Sequence, residues 1–426
     1  MSKVKLWYLY DFANSFASSV VIFYFPLLLL RGGASDTWIG LATAISTVIL
    51  LIFYPGLGRR ADESQKRRMK YMIFSSVSML LALYAMGIIT NVYAEHYTFF
   101  LLFLLCLLYI VFQVSFQGSY VFYTAFMQNF RDTGHNKDRV SSLGMGLGQL
   151  GNAVSIGIMG AFVVNSSLML FGVNGNSLAL ILGATIFIVL AIPFLIQKVG
   201  DADVSRVKEA EKRFTFGEFI KKVFKNKKLF FYLLGYMFVA DSIATLQIYM
   251  TLYLKNVFGF TERMSSLGGV ISLSMLFVTC MLVGGWAHKI IGKNRMLTLG
   301  GTVYICAFIL FGLAPNVPLY GYLSLSFAGI AYGLFFPLAR SLYSDIVPKE
   351  SQAEYFSSFV IFERAATVIG PVVWVTVFEL LGAYPVEYRY RANVMALALT
   401  AMLGLYFIKK SFTMKNQTEI LHILKT

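Results

Sequence analysis

The sequence predicts an all-α membrane protein with twelve transmembrane helices in two pseudo-symmetric six-helix bundles and both termini in the cytoplasm. Three observations support this fold class. The chain of 426 residues is 58% hydrophobic and only 13% charged, whereas a soluble domain is about a quarter charged. Its apolar segments are about 20 residues long, the length at which a helix crosses a bilayer. Its lysines and arginines lie mostly in alternate connecting segments.

Twelve apolar segments are separated by charged turns or by turns rich in Gly, Pro and Asn. Their order defines six predicted spans in each half of the chain. The predicted spans are residues 7–30, 38–58, 71–90, 98–126, 141–164, 178–197, 229–254, 264–286, 297–314, 320–338, 355–380 and 392–408.

The distribution of basic residues predicts the orientation of these spans. With the N-terminus in the cytoplasm, 30 of the 36 lysines and arginines fall in cytoplasmic segments and five fall on the opposite side. Positively charged loops stay on the cytoplasmic side of a membrane. One missed span would erase this asymmetry, so the bias also supports the count of twelve. Only Arg364 lies within a predicted span.

Two internal similarities predict that the chain consists of related halves. Asp11 and Asp241 lie in the first span of each half, 230 residues apart. The segment Gly58-x-x-x-Asp62, followed by basic residues, has a degenerate counterpart in Gly284-x-x-x-His288, 226 residues later. Duplicated six-helix halves with a site between them are a plan used by secondary transporters.

The predicted boundaries follow from this repeat: an N-terminal half at 1–197, a cytoplasmic linker at 198–228, a C-terminal half at 229–408 and a cytoplasmic tail at 409–426. The linker is highly charged and is predicted to contain an amphipathic helix at the membrane surface, because its apolar residues recur at helical spacing. A helix that binds a partner protein is the alternative. The apolar residues are Phe216, Phe219, Ile220, Val223 and Phe224.

Composition and spacing disfavour several other classes of protein. The net charge of +15 is scattered between apolar segments, whereas a nucleic-acid site needs basic groups on one solvated face. Three cysteines lie in apolar segments, so we expect buried thiols and no disulfides. Four histidines lie in loops or the tail without metal-ligand spacing. No glycine-rich nucleotide loop exists. We therefore expect no metal, no cofactor and no enzymatic activity.

Buried acids are the first candidate functional residues, since a carboxylate in hydrocarbon costs roughly 2.5–3.5 kcal/mol. Asp11 is interpreted as a coupling or gating group, or as the partner of a basic residue such as Arg340. Asp241 lies near the bilayer middle, about 20 Å beyond Lys228, and is interpreted as a substrate or proton site. Asn14 is predicted to line the cavity or to bond a neighbouring helix.

Span eleven carries Glu363 and Arg364, which are interpreted as cavity or gate residues, or as groups that hold spans together. Span four carries four polar residues, of which three share a helical face and are predicted to form a polar wall or to bond neighbouring helices. Span five has a face of glycines for close helix packing, interrupted by two amides that are predicted to reach the cavity. These residues are Gln113, Gln117, Tyr120 and Tyr123 in span four and Gln149 and Asn152 in span five.

Several motifs resemble those of a known family. The segment from Gly58 to Asp62 with its basic neighbours resembles the signature of the major facilitator superfamily. WYLYDFANSF, which begins at Trp7, resembles the opening motif of its vacuole-effluxer-like branch, which includes fungal vacuolar amino-acid effluxers. Asp241 resembles the branch's aspartate in span seven, and FYTAFMQ resembles its span-four motif. ARSLYSDIVPKESQAEYFSSF, which is followed by Gly370-Pro371, resembles its Ser-Arg-Ser segment. Departures from the branch are Thr124 for Asn, Gln128 for Pro and Ala339 for Ser.

This resemblance implies a secondary transporter that works by alternating access and exports amino acids or similar zwitterions. Proton coupling would use some of Asp11, Asp241 and Glu363. An inner gate is implied, in which the acid near a helix N-terminus accepts backbone N–H groups and latches an outward-open state. The gate residues are Gly58, Asp62, Arg67, Arg340 and Ser341.

The expected partners are a small-molecule substrate, protons and the lipid bilayer, and we expect a monomer. The membrane is expected to be the plasma membrane if the protein is prokaryotic and the vacuolar membrane if it is fungal-like. A lipid or drug exporter of the same fold is the first alternative, with a mainly apolar cavity. A membrane-embedded enzyme and a receptor or scaffold that transports nothing are further alternatives.

Overall fold

The computed structural model describes residues 3–31, 36–93, 98–127, 137–159, 168–197, 221, 223–283, 288–348 and 351–414. These residues are almost entirely helical. The elements are α1 (Lys3–Arg31), α2 (Asp36–Asp62), α3 (Gln65–Val92), α4 (Phe99–Ala125), α5 (Lys137–Ile158), β1 (Met169–Leu170), β2 (Val173–Asn174), α6 (Gly175–Leu195), α7 (Lys227–Phe258), α8 (Glu262–Leu282), α9 (His288–Ile291), α10 (Lys293–Leu313), α11 (Pro318–Ile346), α12 (Gln352–Leu380) and α13 (Val386–Thr413).

Each predicted span overlaps one helix of at least 21 residues in the described part of the chain. Eight of the described helices are long and apolar enough to cross a membrane. The crossing of the other four stays a prediction, as do the positions of the termini. Apolar side chains such as Phe74, Leu81 and Phe99 are exposed. In a bilayer such side chains contact lipid, so they need no further protein partner.

The cysteines only partly follow the sequence-based expectation. All three are free thiols, and Cys106 and Cys280 are buried, but Cys306 is exposed. An apolar segment indicates that a residue avoids water and does not specify whether protein or lipid covers it. The expectation of a buried thiol at Cys306 was therefore wrong, because this side of α10 is exposed in the described part of the chain.

Some connections are shorter than the sequence suggests. The helices α2 and α3 extend past the predicted spans, so that Asp62 ends α2 and only Glu63 and Ser64 connect it to α3. Ser64 is the N-cap of α3 and accepts from the backbone N–H of Arg67 at 3.1 Å. Most of the predicted amphipathic linker helix, and tail residues 415–426, lie outside the described residues. Within that linker helix, Val223 is buried and Phe224 is exposed.

The chain folds into two compact units. The first contains residues 1–135, 147–214 and 349–357, and the second contains 136–146, 215–348 and 358–426. Each unit therefore consists mainly of one half of the sequence and includes a short segment from the other half. These segments are the first turns of α5 and of α12. The predicted domain boundaries at residues 197 and 228 stay predictions.

Aromatic packing around α1 forms the core of the first unit. The Trp7 Nε1–H donates to the Tyr123 carbonyl at 3.0 Å, and the two rings stack with centroids 4.2 Å apart. Tyr10 lies against the same Tyr123 ring and shares a 2.8 Å hydrogen bond with Ser76 of α3. The aromatic side chains of the opening motif therefore join α1 to α3 and α4.

Close backbone contact between α7 and α13 organises the second unit. A Cβ placed on Gly235 would lie 2.6 Å from the carbonyl oxygen of Gly404, and one on Gly404 would lie 2.7 Å from that of Gly235. Small residues let helices approach closely and gain packing contacts, which drive helix association where lipid removes the hydrophobic effect. Ser242 and Thr400 share a 2.6 Å hydrogen bond between the same two helices.

Candidate functional site

The predicted acid on α1 lies against the glycine face of α5 in the first unit. Asp11 is 6% exposed. A Cβ placed on Gly148 would lie 3.5 Å from the Asp11 carboxyl carbon and 2.9 Å from Ser15 Oγ. A Cβ on Gly151 would overlap the carbonyl oxygen of Phe12. The glycines of α5 thus act in packing and bring its backbone beside a buried carboxylate.

The predicted amides of the first unit bond to neighbouring residues. Asn14 is buried and accepts from the Ser119 hydroxyl of α4 at 3.3 Å. Ser19 of α1 donates to Asn152 of α5 at 2.7 Å, and Asn152 donates to Gln149 at 3.0 Å. A polar strip therefore connects α1 with α4 and α5.

The polar residues of α4 do not share one environment. Gln113 is buried and donates to the Tyr109 hydroxyl at 2.7 Å. Gln117 and Tyr120 are half-buried, whereas Tyr123 is in the aromatic core with Trp7. Tyr123 is ten residues beyond Gln113, and at about 100° per residue it points to a different side of the helix. The predicted polar wall consisted of Gln113, Gln117 and Tyr120, and its role stays a prediction.

The predicted acid of the second unit contacts the backbone of a helix that contains proline. Asp241 is 1% exposed, and its Oδ1 accepts from the Gly370 N–H at 2.6 Å. Gly370 precedes Pro371 inside α12. Glu363 of the same helix is half-buried, while the side chain of Arg364 lies outside the described residues. Asp241 and Gly370-Pro371, which the resemblance identified separately, are in direct contact.

Asp62 occupies the N-terminus of α12 within the first unit. Its carboxylate accepts from the Ala353 and Glu354 N–H groups at 3.0 and 2.9 Å. Orphan N–H groups at a helix start favour an anion. Gly58 lets the backbones meet, because a Cβ there would lie 2.5 Å from the Ala353 carbonyl oxygen. The buried cation that pairs with Asp62 is Arg68, at 2.5 Å.

The predicted gate residue Arg67 lies on the exposed side of α3. It pairs with Glu63 one turn earlier. Arg68 is 3% exposed, donates to the Ala125 carbonyl at 3.2 Å and lies over the Phe126 ring. Both arginines belong to one basic run, and the rotation of α3 decides which of them faces Asp62. Helix phase is the signal that separates them, since Arg68 precedes buried Met72 by four residues.

The other predicted gate residues hold the start of α5 within the second unit. Arg340 is 1% exposed, and its guanidinium donates to the hydroxyl and carbonyl oxygens of Ser141 at 3.1 and 2.8 Å. Ser341 donates to Asp138 at 2.5 Å, and Lys293 contacts the same carboxylate oxygen at 2.9 Å. Sequence reasoning missed Asp138, Ser141 and Lys293, although Lys293 belongs to the second copy of the repeated loop.

Long apolar helices that retain buried carboxylates and a buried arginine define an integral, multi-pass membrane protein. Residues 5–371 match the profile of the Major Facilitator Superfamily. The chain belongs to this superfamily, as the loop between α2 and α3 predicted. The superfamily is one of transporters, which handle small molecules.

Three curated relatives have low identity to this chain. An uncharacterized MFS-type transporter of Bacillus subtilis, YxiO, is 26% identical over 405 residues, which cover 88% of both chains. A Na⁺, Li⁺, K⁺/H⁺ antiporter of Planococcus maritimus is 25% identical over 185 residues, 42% of this chain and 41% of the antiporter. Autophagy-related protein 22 of Candida glabrata is 25% identical over 175 residues, 37% of this chain and 31% of that protein.

A solved structure has a similar fold. The MFS transporter FucP in its outward conformation matches with a TM-score of 0.72 at 12% identity, covering 96% of this chain and 99% of that one. At this identity the likeness concerns the fold alone.

Proposed function

We propose that this protein is a secondary active transporter that moves a small polar solute, an amino acid or a similar zwitterion, by alternating access. In this proposal twelve helices cross the membrane, both termini are cytoplasmic, and export is coupled to protons. The observation that carries it is the burial of carboxylates inside apolar helices, with Asp11 and Asp241 only 6% and 1% exposed. Intramembrane acids are costly and mark substrate or ion pathways.

The polar strip of the first unit supports a small polar substrate. Asn14, Gln149 and Asn152 offer amide groups beside the Asp11 carboxylate, and half-buried Gln117 and Tyr120 add further donors and acceptors. A zwitterion needs acceptors for its ammonium group and donors for its carboxylate, and this set contains both. Arg364 is the proposed cation for the substrate carboxylate.

Coupling is assigned to some of Asp11, Asp241 and Glu363. A buried carboxylate exchanges a proton or a metal cation at low energetic cost, because either one neutralises a charge that burial disfavours. The name of the Planococcus relative pairs protons with Na⁺, Li⁺ and K⁺, and both kinds of cation suit such a group.

Two sets of contacts are the proposed inner gate. Asp62 binds the first turn of α12, with Gly58 allowing close approach, and Arg340 and Ser341 bind the first turn of α5. The first turn of α12 belongs to the first unit, which consists mainly of the N-terminal half of the sequence. The first turn of α5 belongs to the second unit, which consists mainly of the C-terminal half. In this proposal the contacts latch an outward-open state.

Flux into proteoliposomes tests the function. The purified protein, reconstituted with an imposed pH gradient, is expected to move at least one labelled amino acid from a broad panel, and Asp241→Asn is expected to abolish the gradient dependence. Ser242→Ala is the matched control, because Ser242 is on the same helix as Asp241 but bonds to Thr400 of α13. Absence of gradient-driven flux for every solute would contradict the proposal. Flux of lipid or dye that ignores Asp241→Asn would favour the exporter alternative.

A further inference from the structure

A polar cluster lies where α7 meets the proline of α12 in the second unit. Asp241 and Thr245 are one turn apart on α7 and face Gly370. The Gly370 N–H donates to Asp241 Oδ1 at 2.6 Å. A Cβ placed on Gly370 would lie 2.7 Å from that oxygen and would overlap Thr245 Oγ1. The carboxylate and the hydroxyl therefore lie beside the same point of the α12 backbone.

Two oxygen atoms of this cluster are buried without a hydrogen bond. Among the described residues, neither Asp241 Oδ2 nor Thr245 Oγ1 has a partner, although Asp241 is 1% exposed and Thr245 is fully buried. A buried polar atom without a partner is destabilising, and more so when it is charged. Both atoms belong to side chains that lie against Gly370, and a ligand bound there would satisfy both.

Pro371 follows Gly370 directly beside the cluster. Proline has no N–H to donate, so it interrupts the backbone hydrogen bonds of α12 at this point. Backbone carbonyls at interrupted membrane helices coordinate Na⁺ in other transporter folds. The carboxylate and the hydroxyl of the cluster are hard oxygen ligands, which prefer hard metal cations.

Protein charges close to the cluster are few. Within the described residues Asp241 makes no ion pair, and α13, which packs along α7, has no charged residue between Arg391 and Lys409. On α12, Arg364 and Glu363 precede Gly370 by six and seven residues, about 9 and 10 Å along the helix. On α11, Arg340 is engaged with Ser141. The charge of Asp241 is thus left to be neutralised by a bound proton or a bound cation.

We propose that Asp241 and Thr245, with the backbone around Gly370-Pro371, bind a dehydrated monovalent metal cation of the size of Na⁺ or Li⁺. The near-complete burial of both residues excludes a bulky organic ammonium group. A single carboxylate balances a single positive charge, whereas a divalent ion needs more. The site deepens the transport proposal and rests on it for the ion's role in coupling, but binding is measurable without flux.

Cation binding to the purified full-length protein tests the site. Thermal unfolding in detergent is followed at fixed pH, with NaCl, LiCl or KCl replacing choline chloride at constant ionic strength. Because a ligand that binds only the folded state raises its stability, Na⁺ and Li⁺ are expected to raise the unfolding midpoint saturably. Potassium is expected to act more weakly. Equilibrium binding of ²²Na⁺ is expected to approach one ion per chain.

Variants of the two ligand side chains complete the experiment. Asp241→Asn is expected to abolish ²²Na⁺ binding, and Thr245→Ala to weaken it about tenfold or more. Thr245→Ser keeps the hydroxyl and is expected to retain binding. Ser242→Ala is the matched control, because Ser242 is on the same helix but bonds to Thr400 of α13.

Three outcomes would overturn the site. They are a wild-type protein without saturable Na⁺ dependence, retention of binding in Asp241→Asn, and equal binding in Thr245→Ala and Thr245→Ser. The threonine pair decides the matter even if Asp241→Asn fails to fold. The proposed function fails separately: sodium binding without any solute flux would leave the site intact, whereas solute flux in a protein that binds no sodium would refute the site alone.

Discussion

The pair formed by Asp62 and Arg68 is the clearest target for perturbation. Both residues are buried, at 2% and 3% exposure, and their charged atoms are 2.5 Å apart. Asp62→Asn keeps the shape of the side chain and removes its charge. Arg68→Met keeps an apolar stem of similar length. The double variant removes both charges together.

The expected magnitudes follow from the contacts. Loss of one partner of a buried ion pair costs about 3–5 kcal/mol, because the other charge stays buried. Asp62→Asn is expected to lower the free energy of unfolding by this amount, because the Arg68 charge then has only neutral acceptors such as the Ala125 carbonyl. Arg68→Met is expected to cost somewhat less, because the carboxylate still accepts two backbone N–H groups. The coupling energy between the two changes is expected to be about 1–3 kcal/mol.

Equilibrium unfolding in mixed detergent micelles with rising SDS measures all four proteins of this cycle. The double variant is expected to lose about 1–3 kcal/mol less than the sum of the two single losses. The neighbouring Arg67→Gln is the control, since Arg67 forms an exposed pair that is worth at most about 1 kcal/mol. A loss of stability in the double variant that equals the sum of the two single losses would refute the buried pair. An equal loss in Arg67→Gln would refute the assignment of Arg68 as the partner of Asp62.

Two further predictions concern packing. Gly58→Val is expected to lower transport severely, because its Cβ would lie 2.5 Å from the Ala353 carbonyl oxygen; Gly157→Ala, which meets nothing within 4 Å, is the control in the same flux assay. Trp7→Phe is expected to destabilise the fold by about 1–2 kcal/mol, since it loses the hydrogen bond to the Tyr123 carbonyl oxygen. Unfolding in mixed micelles measures this loss of stability, and an unchanged midpoint would contradict the buried hydrogen bond.

Much of the helical architecture was predictable from local composition. Each predicted span overlaps one long helix, because a run of about 20 apolar residues specifies a helix wherever water is absent. Helix ends were less predictable. Asp62 was expected in a loop and instead ends α2, since basic residues at a helix C-terminus are favoured by the dipole and do not stop the helix. The hairpin Met169–Asn174 is too short for any periodic signal.

The candidate site was predictable in its acids and unpredictable in their partners. An acid in an apolar run is conspicuous, so Asp11 and Asp241 were singled out from the sequence, whereas Asp62 was singled out by the motif that resembles the superfamily signature. The basic partner of Asp62 was not specified by the sequence, because Arg67 and Arg68 occupy the same basic run; Arg68 makes the buried contact with Asp62, and Arg67 pairs with Glu63. Thr245 carried no signal alone, since threonine is common in membrane helices.

The sequence by itself determined that this chain enters a membrane, which segments form its long apolar helices and the superfamily to which it belongs. These properties depend on hydrophobicity and on motifs within short windows, and each window contributes independently of the others. Only the tertiary structure decided which buried polar atoms meet. Asp62 and Glu354 are 292 residues apart, and their contact depends on helix rotations and close approaches that no local window contains.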